Sequence, residues 1–248
     1  MIRVAATADV HFGTDSGSTL RPHLEHLCDR ADVLLIAGDL TRCGAPEEGA
    51  VLADELRGLE IPVYAVLGNH DYEVEQPEAI VEQLTAAGVR MLENENAVLD
   101  VGDVRVGIAG VKGFGGGFAG ACGSDFGEPE MKAFIRHTKQ TAEVLEHALA
   151  QLDTDVRIAL LHYSPVEETL RGERPEIYPF LGSYLLAEAI DRAGADLVVH
   201  GHAHNGAEKG LTPGGVPVRN VAQPVIRQAY AVYSIEASMD RHGVSVHA

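Results

Sequence analysis

The feature that most constrains this chain is a series of short apolar runs, each broken off by a glycine or a polar cluster. Six recur: "IRVAATA" from residue 2, "DVLLIAG" from 32, "PVYAVLG" from 62, "VRVGIAG" from 104, "VRIALLH" from 156 and "DLVVHG" from 196. They are rich in Val, Ile, Leu and Ala and lack the polar alternation of a half-exposed strand. Runs of this kind read as strands buried on both faces, and such strands need a covering layer on each side. The cover is written between them. "PEEGAVLADELRGL" sets Val51, Leu52, Leu56 and Leu59 at helical spacing. "EPEMKAFIRHTKQTAEVLEHALAQL" is a long amphipathic segment, and "GSYLLAEAIDRAG" is a shorter one that ends on a glycine stop. Near the end, "GVPVRNVA", "QAYAVYSIEAS" and "GVSVHA" alternate and carry Val and Tyr, which predicts antiparallel strands. No repeat, low-complexity stretch or linker divides the chain. The expectation is an α/β fold with two packed mixed β-sheets flanked by helices, formed by a single domain over residues 1–248.

Composition bounds the partners. Apolar residues make up 46% of the 248, enough for a sizeable core. The 37 acidic and 19 basic residues give a formal charge of -18. That charge repels polyanions at long range, so nucleic acid and anionic membrane are poor default partners. Cys28, Cys43 and Cys122 are scattered and form no C-x-x-C pair, as free thiols of a reducing compartment would. Met1–Val10 reads as a strand rather than a signal peptide, and no apolar run reaches the ~18 residues of a membrane span. A cytoplasmic protein is expected.

The residues just past the strand ends carry the chemistry. Asp9-Val10-His11 comes after the first run, Gly38-Asp39 after the second and Gly68-Asn69-His70-Asp71 after the third. His162 ends the fifth, and Gly201-His202-Ala203-His204 comes after the sixth. Each piece alone is ordinary turn chemistry. Together, five strand ends deliver Asp, Asn or His to the edge where open α/β sheets gather their ligands. Carboxylate, amide oxygen and imidazole are the donors of Mn, Fe, Zn or Co rather than of a thiolate-bound ion.

The ordered set D-x-H, G-D, G-N-H-D, H, G-H-x-H resembles the signature of the calcineurin-like metallophosphoesterases, over residues 9 to 204. The resemblance implies a four-layer αββα sandwich with two divalent or mixed-valence metal ions at one edge. Asp9, His11 and His204 would hold one ion, Asn69, His162 and His202 the other, and Asp39 would bridge them. His70 would sit at the substrate as the phosphate-binding and acid group, oriented by Asp71, with Asn69 also stabilising charge on the phosphoryl oxygens. The implied activity is hydrolysis of a small phosphodiester or phosphomonoester by a metal-bridging hydroxide. Two divalent ions less two carboxylates and one hydroxide leave a pocket near one positive charge, suited to a phosphate ester within an acidic protein. The alternative is a catalytically weak metal-binding scaffold on the same fold, as in a subunit of the retromer coat; the intact ligand set argues against it.

The second motif reads Gly38-Asp39-Leu40-Thr41-Arg42-Cys43-Gly44, whereas the serine/threonine protein phosphatases extend it as G-D-x-x-D-R-G. Arg42 and Cys43 replace the aspartate and the phosphate-gripping arginine, so the chain is closer to the bacterial phosphodiesterase-like branch. Arg42 is a candidate substrate contact, and Cys43 reads as an inert loop thiol. In "KGFGGGFAGACGSDFGEPE" a dinucleotide-type glycine pattern occurs, but no helix follows it directly, which removes that reading. The segment is expected to be a mobile loop over the crevice, with Phe114 and Phe118 as an apolar wall for the substrate. The stretch after His162, "YSPVEETLRGERPEIYPFLGSY", is expected near the site, with Tyr163, Arg171 or Arg174 helping to set specificity. In "LVVHGHAHNG", His200 is expected to be packed rather than a ligand.

Overall fold

A computed structural model describes residues 1–236; the predicted strand "GVSVHA" lies outside them. The strands are β1 (Ile2–Thr7), β2 (Val33–Ala37), β3 (Val63–Val66), β4 (Val89–Met91), β5 (Glu95–Val101), β6 (Val104–Val111), β7 (Gly117–Phe118), β8 (Ala121–Cys122), β9 (Val156–Leu161), β10 (Leu197–His200), β11 (Lys209–Leu211), β12 (Pro217–Asn220) and β13 (Ala231–Ile235). They make a five-stranded sheet in the order β13-β1-β2-β3-β4, a six-stranded sheet in the order β11-β12-β10-β9-β6-β5, and a small β7-β8 hairpin. Both large sheets are mixed. β1 through β4 are mutually parallel with β13 antiparallel at the edge. β6, β9, β10 and β12 are parallel, with β5 and β11 antiparallel at the edges.

The unbroken apolar runs are explained by which core each residue enters. Val4, Ala6, Val33, Leu35 and Ala37 meet Val106, Ile108, Ile158, Leu160 and Val199 between the sheets. Their alternates Ala5, Leu34 and Ile36 face the other way, onto Leu52, Leu56, Ile80 and Leu84. On the second sheet Ala109, Val111, Ala159 and Leu161 face Leu145, Leu149, Leu186 and Ile190. Period-two side chains thus feed an inner and an outer core from one strand, and both faces must be apolar. The layers are helix, sheet, sheet, helix.

The three predicted helices form over Pro46–Leu56, Pro129–Ala150 and Tyr184–Ala193. The first two open on a proline, whose missing N–H costs nothing at that position. In the third, Ser183 caps by accepting the Leu185 N–H at 3.2 Å. A further helix, Pro77–Ala86, is not marked by its sequence pattern; it is a ten-residue segment whose fully buried anchors are Ile80 and Leu84. "GVPVRNVA" forms β12, but it lies parallel to β10 and antiparallel only to β11, because it returns beside a strand of the second sheet. "QAYAVYSIEAS" forms β13, antiparallel to β1 as expected.

Candidate metal centre

The carboxyl ends of β1, β2 and β3 in one sheet and β9 and β10 in the other open onto the same edge. Asp9, Asp39, Asn69, His162 and His202 each lie one to three residues past their strand. Turning the chain so sharply has a conformational cost. Asp9 (φ 56°), His11 (φ 44°), Asp39 (φ 48°) and His202 (φ 70°) all occupy the left-handed region, which non-glycine residues avoid. Each such residue costs about 1–3 kcal/mol and persists only where its surroundings hold it. They do so here. Asp9 N–H donates to the Gly38 carbonyl at 3.0 Å and His11 N–H to the Asp39 carbonyl at 3.1 Å, which zips the first two loops together.

Two of the three glycines that precede candidate ligands let carboxylates in close. A Cβ at Gly68 would overlap Asp39 Oδ1, and one at Gly201 would overlap Asp9 Oδ2. Bare backbone lets neighbouring loops bring their carboxylates in close.

Two groups of ligand atoms result. One atom each from Asp9, His11, Asp39 and His204 lies within 4.8 Å of the others, and the same holds for Asp39, His162 and His202. Asp39 belongs to both. In the first group His204 Nε2 is 2.8 Å from Asp9 Oδ1, and His11 Nε2 is 3.4 Å from His204 Nε2. In the second, His162 Nε2 lies 3.0 Å from Asn69 Oδ1 and 3.3 Å from Asp39 Oδ1. Convergent carboxylate, amide oxygen and imidazole nitrogen atoms are the donor set of divalent transition ions. The residues therefore fit such ions.

Hydrogen bonds behind the ligands set their tautomers. His162 Nδ1 donates to the Ala37 carbonyl at 2.9 Å, which leaves Nε2 as the lone-pair nitrogen facing Asn69 and Asp39. His202 Nε2 donates to the Phe180 carbonyl at 3.2 Å, which frees Nδ1. The His202 N–H donates to both Asp9 oxygens, at 3.1 and 2.9 Å, and so ties the two groups together. Protonation follows the surroundings. Burial drives His202 down to about 3 and also lowers His11. His204 is raised, chiefly by its bond to Asp9. Burial alone would push Asp39 up, but His162 foremost, with His70 and His11, holds it below the ordinary carboxylate value.

His70 stands at the rim. Its N–H donates to Asp39 Oδ1 at 3.0 Å, its ring lies edge-on to His11 at 4.7 Å, and Nε2 is 3.9 Å from Asp39 Oδ2. Nδ1 donates to the Arg42 carbonyl at 2.9 Å, with Glu73 at 3.7 Å. Asp71 does not orient this ring. It is fully buried and accepts from Leu40 N–H (3.1 Å), Thr41 N–H (2.8 Å), Thr41 Oγ1 (2.6 Å) and Gly68 N–H (2.7 Å). Its work is to staple the Asp39 loop to the Asn69 loop, and the ring of His70 is held by the Arg42 backbone. The Arg42 guanidinium turns away to Asp15 at 2.9 Å, both groups being exposed. Cys43 Sγ points at Glu48 Oε1, 3.4 Å away, and that carboxylate raises the thiol, which disfavours the reactive thiolate.

The glycine-rich segment is built into the fold more than a loop over a crevice would be. Gly117 N–H donates to the Gly182 carbonyl at 2.9 Å. Phe118 is 3% exposed and packs on Leu170, Leu181 and Ala203, so it presents no wall to a ligand. Phe114 is half-buried among Phe134, His137 and Tyr163, with ring centroids 4.9, 4.5 and 5.9 Å away. Tyr163 in turn lies 4.4 Å from the His202 ring, so this candidate does stand beside a ligand, whereas Arg171 and Arg174 are exposed. The aromatic row joins the second ligand group. The Phe180 carbonyl and Lys112 are further neighbours of the site that sequence motifs do not single out. His200 is buried, with Nδ1 donating to the Gly201 carbonyl at 2.8 Å and Nε2 at 2.9 Å from Thr169 Oγ1. It takes no part in either group.

Two groups of candidate metal ligands thus gather at the strand edge of a double sheet, and the family to which the sequence matches is one of metal-dependent phosphoesterases. The calcineurin-like phosphoesterase model matches residues 2–206, and the chain belongs to that family. No curated protein matches the chain significantly. Among solved structures, a phosphopantetheinyl hydrolase from Mycobacterium tuberculosis superposes with a TM-score of 0.67 at 18% identity, over 90% of each chain. TT1561 of Thermus thermophilus gives 0.58 at 17% identity, over 94% of this chain and 98% of its own. At these identities the likeness is one of fold. No helix among the described residues is long and apolar enough to cross a membrane.

Proposed function

We propose that the chain, acting as one domain over 1–248, hydrolyses a small phosphodiester or phosphomonoester with two divalent ions, drawn from Mn, Fe, Zn and Co. Asp9, His11 and His204 would hold one ion, Asn69, His162 and His202 the other, and Asp39 both. The observation that carries this is Asp39, whose carboxylate belongs to both ligand groups. Bound divalent ions supply charge neutralisation at the phosphoryl oxygens and bring a water toward neutral acidity, the nucleophile of an in-line displacement. The protein does the rest. Asn69 turns its amide oxygen to the second group, His70 holds a proton at Nε2 for the leaving oxygen, and the Arg42 carbonyl fixes that ring. Asp71 keeps the two loops in register. The overall charge of -18 favours a small substrate over a nucleic acid.

The test is metal analysis of the purified protein, then turnover of matched aryl mono- and diesters with Mn²⁺ added. Two metal equivalents and turnover of at least one ester are expected. Bound metal without turnover of any ester would favour the scaffold alternative. Preference for a nucleic acid over every small ester would overturn the substrate assignment.

A further inference from the structure

The five strands whose ends supply candidate ligands are each followed by Asp, Asn or His, whereas β6, parallel to β9 in the same sheet, is followed by a lysine. Val111 pairs in register with Leu161, so Lys112 and His162 are neighbours across a parallel ladder. The His162 N–H donates to the Lys112 carbonyl at 2.9 Å. Val111 and Leu161 both face the outer core, and by alternation the next residue of each strand turns inward, to the side where the ligands gather. His162 does so as a ligand candidate. Lys112 brings an ammonium to the same side. Its Nζ lies 4.3 Å from the ring centroid of Tyr72, two residues past His70, and 5.9 Å from that of Phe114.

This ammonium is half-buried, yet among the described residues it has no carboxylate within 4.0 Å and no hydrogen-bond acceptor. Glu93, the acid that acts on it most, is engaged elsewhere: Oε1 accepts the Leu67 N–H at 2.8 Å and Oε2 faces the Tyr72 hydroxyl at 3.5 Å. In a chain with 37 acidic residues against 19 basic ones, a partly desolvated cation held only by ring faces is an exception. Its Nζ is open to solvent and takes no protein acceptor, so an anionic group that enters there can accept from it. Lys112 makes no hydrogen bond to a ligand side chain, so its donors are free for a group beyond the phosphoryl group at the metal edge.

We propose that Lys112 is a specificity-determining residue that takes a second anionic group of the substrate, carboxylate or phosphate, beside the aromatic row of Phe114 and Tyr163. The inference rests on the phosphoesterase reading for its first anion site, and its test reads binding rather than turnover. Mn²⁺-loaded protein is titrated calorimetrically with methylphosphonate, which carries one anionic group, and with methylenediphosphonate and 3-phosphonopropionate, which add a phosphonate or a carboxylate. Wild type should bind at least one of the two longer ligands more tightly than methylphosphonate. Lys112→Met should weaken that ligand about tenfold, the effect of one lost charge-assisted contact, and methylphosphonate less than about twofold. Lys112→Arg should restore most of the loss. Which longer ligand responds identifies the second anion. Equal weakening of all three, no weakening, or a wild type without preference would overturn the proposal. Lys112→Gln is the substitute should the methionine variant not fold. Absence of ester turnover in wild type, with the binding difference intact, would count against the hydrolase reading and leave Lys112 assigned.

Discussion

The two ligand groups around Asp39 use similar residues and are held in opposite ways. His162 is fully buried, and its ring is fixed at Nδ1 by the Ala37 carbonyl. His202 is driven far down by burial. On the other side, the His11 and His204 side chains are 24% and 37% exposed, and His204 is held up by Asp9. The difference comes from position. His162 follows directly on a strand between the two sheets, whereas His11 and His204 sit in loops beyond it. The second group is a prearranged site with its lone pairs already free; the first must give up a proton before it can hold an ion.

The strongest way to break this contrast is to remove what the groups share. Asp39→Ala should abolish metal binding at both and lower kcat by about 10³-fold or more; retention of one full metal equivalent would show that the groups are independent. Next is Gly68→Ala, whose new methyl would overlap Asp39 Oδ1. It should strip metal while the protein still folds, checked by metal content and circular dichroism. The third pair of variants separates the sides. His162→Ala removes a buried, hydrogen-bonded ring and should cost about 2–4 kcal/mol of stability in urea unfolding as well as one ion. His204→Ala should lose an ion at a stability cost under about 1 kcal/mol. Similar losses of stability in both variants would erase the distinction.

The smallest effect is in pH. In metal-free protein followed by imidazole nitrogen NMR, His204 should titrate above the ordinary 6.5 and His202 should stay neutral down to about 3. The signs are opposite for stability. The raised His204 contributes stability that is fully present below pH 6.5 and is lost as pH rises through its folded value. The depressed His202 makes the fold less stable as pH falls from 6.5 toward 3, because the unfolded chain takes up the proton first. Metal should leave the first group before the second on acidification. Simultaneous loss would argue that Asp39, not the histidines, controls both.

Much of this molecule is legible in its sequence. Buried parallel strands advertise themselves as apolar runs, and a ligand that must stand at a strand end appears immediately after one. Asp9, Asp39, Asn69, His162 and His202 are visible for that reason, and the same rule makes Lys112 readable afterwards, as the residue that follows β6. Helix Pro77–Ala86 is hard to see because its two buried anchors make a weak pattern. Phe118 reads as a substrate wall because a glycine-rich segment looks solvent-facing, while its burial depends on Leu170 and Leu181, more than fifty residues away. Asp71 stands beside His70 in sequence, which suggests that it orients that ring. It serves instead the loops that meet it in space.

The sequence by itself determined the layered α/β architecture and the identity of the candidate ligands, because side-chain period and strand-end chemistry are local properties. Tertiary structure decided which imidazole nitrogen His162 and His202 present, and that Asp71 staples loops rather than steering His70. Those are matters of which backbone carbonyls and N–H groups arrive from distant strands, and no local pattern encodes them.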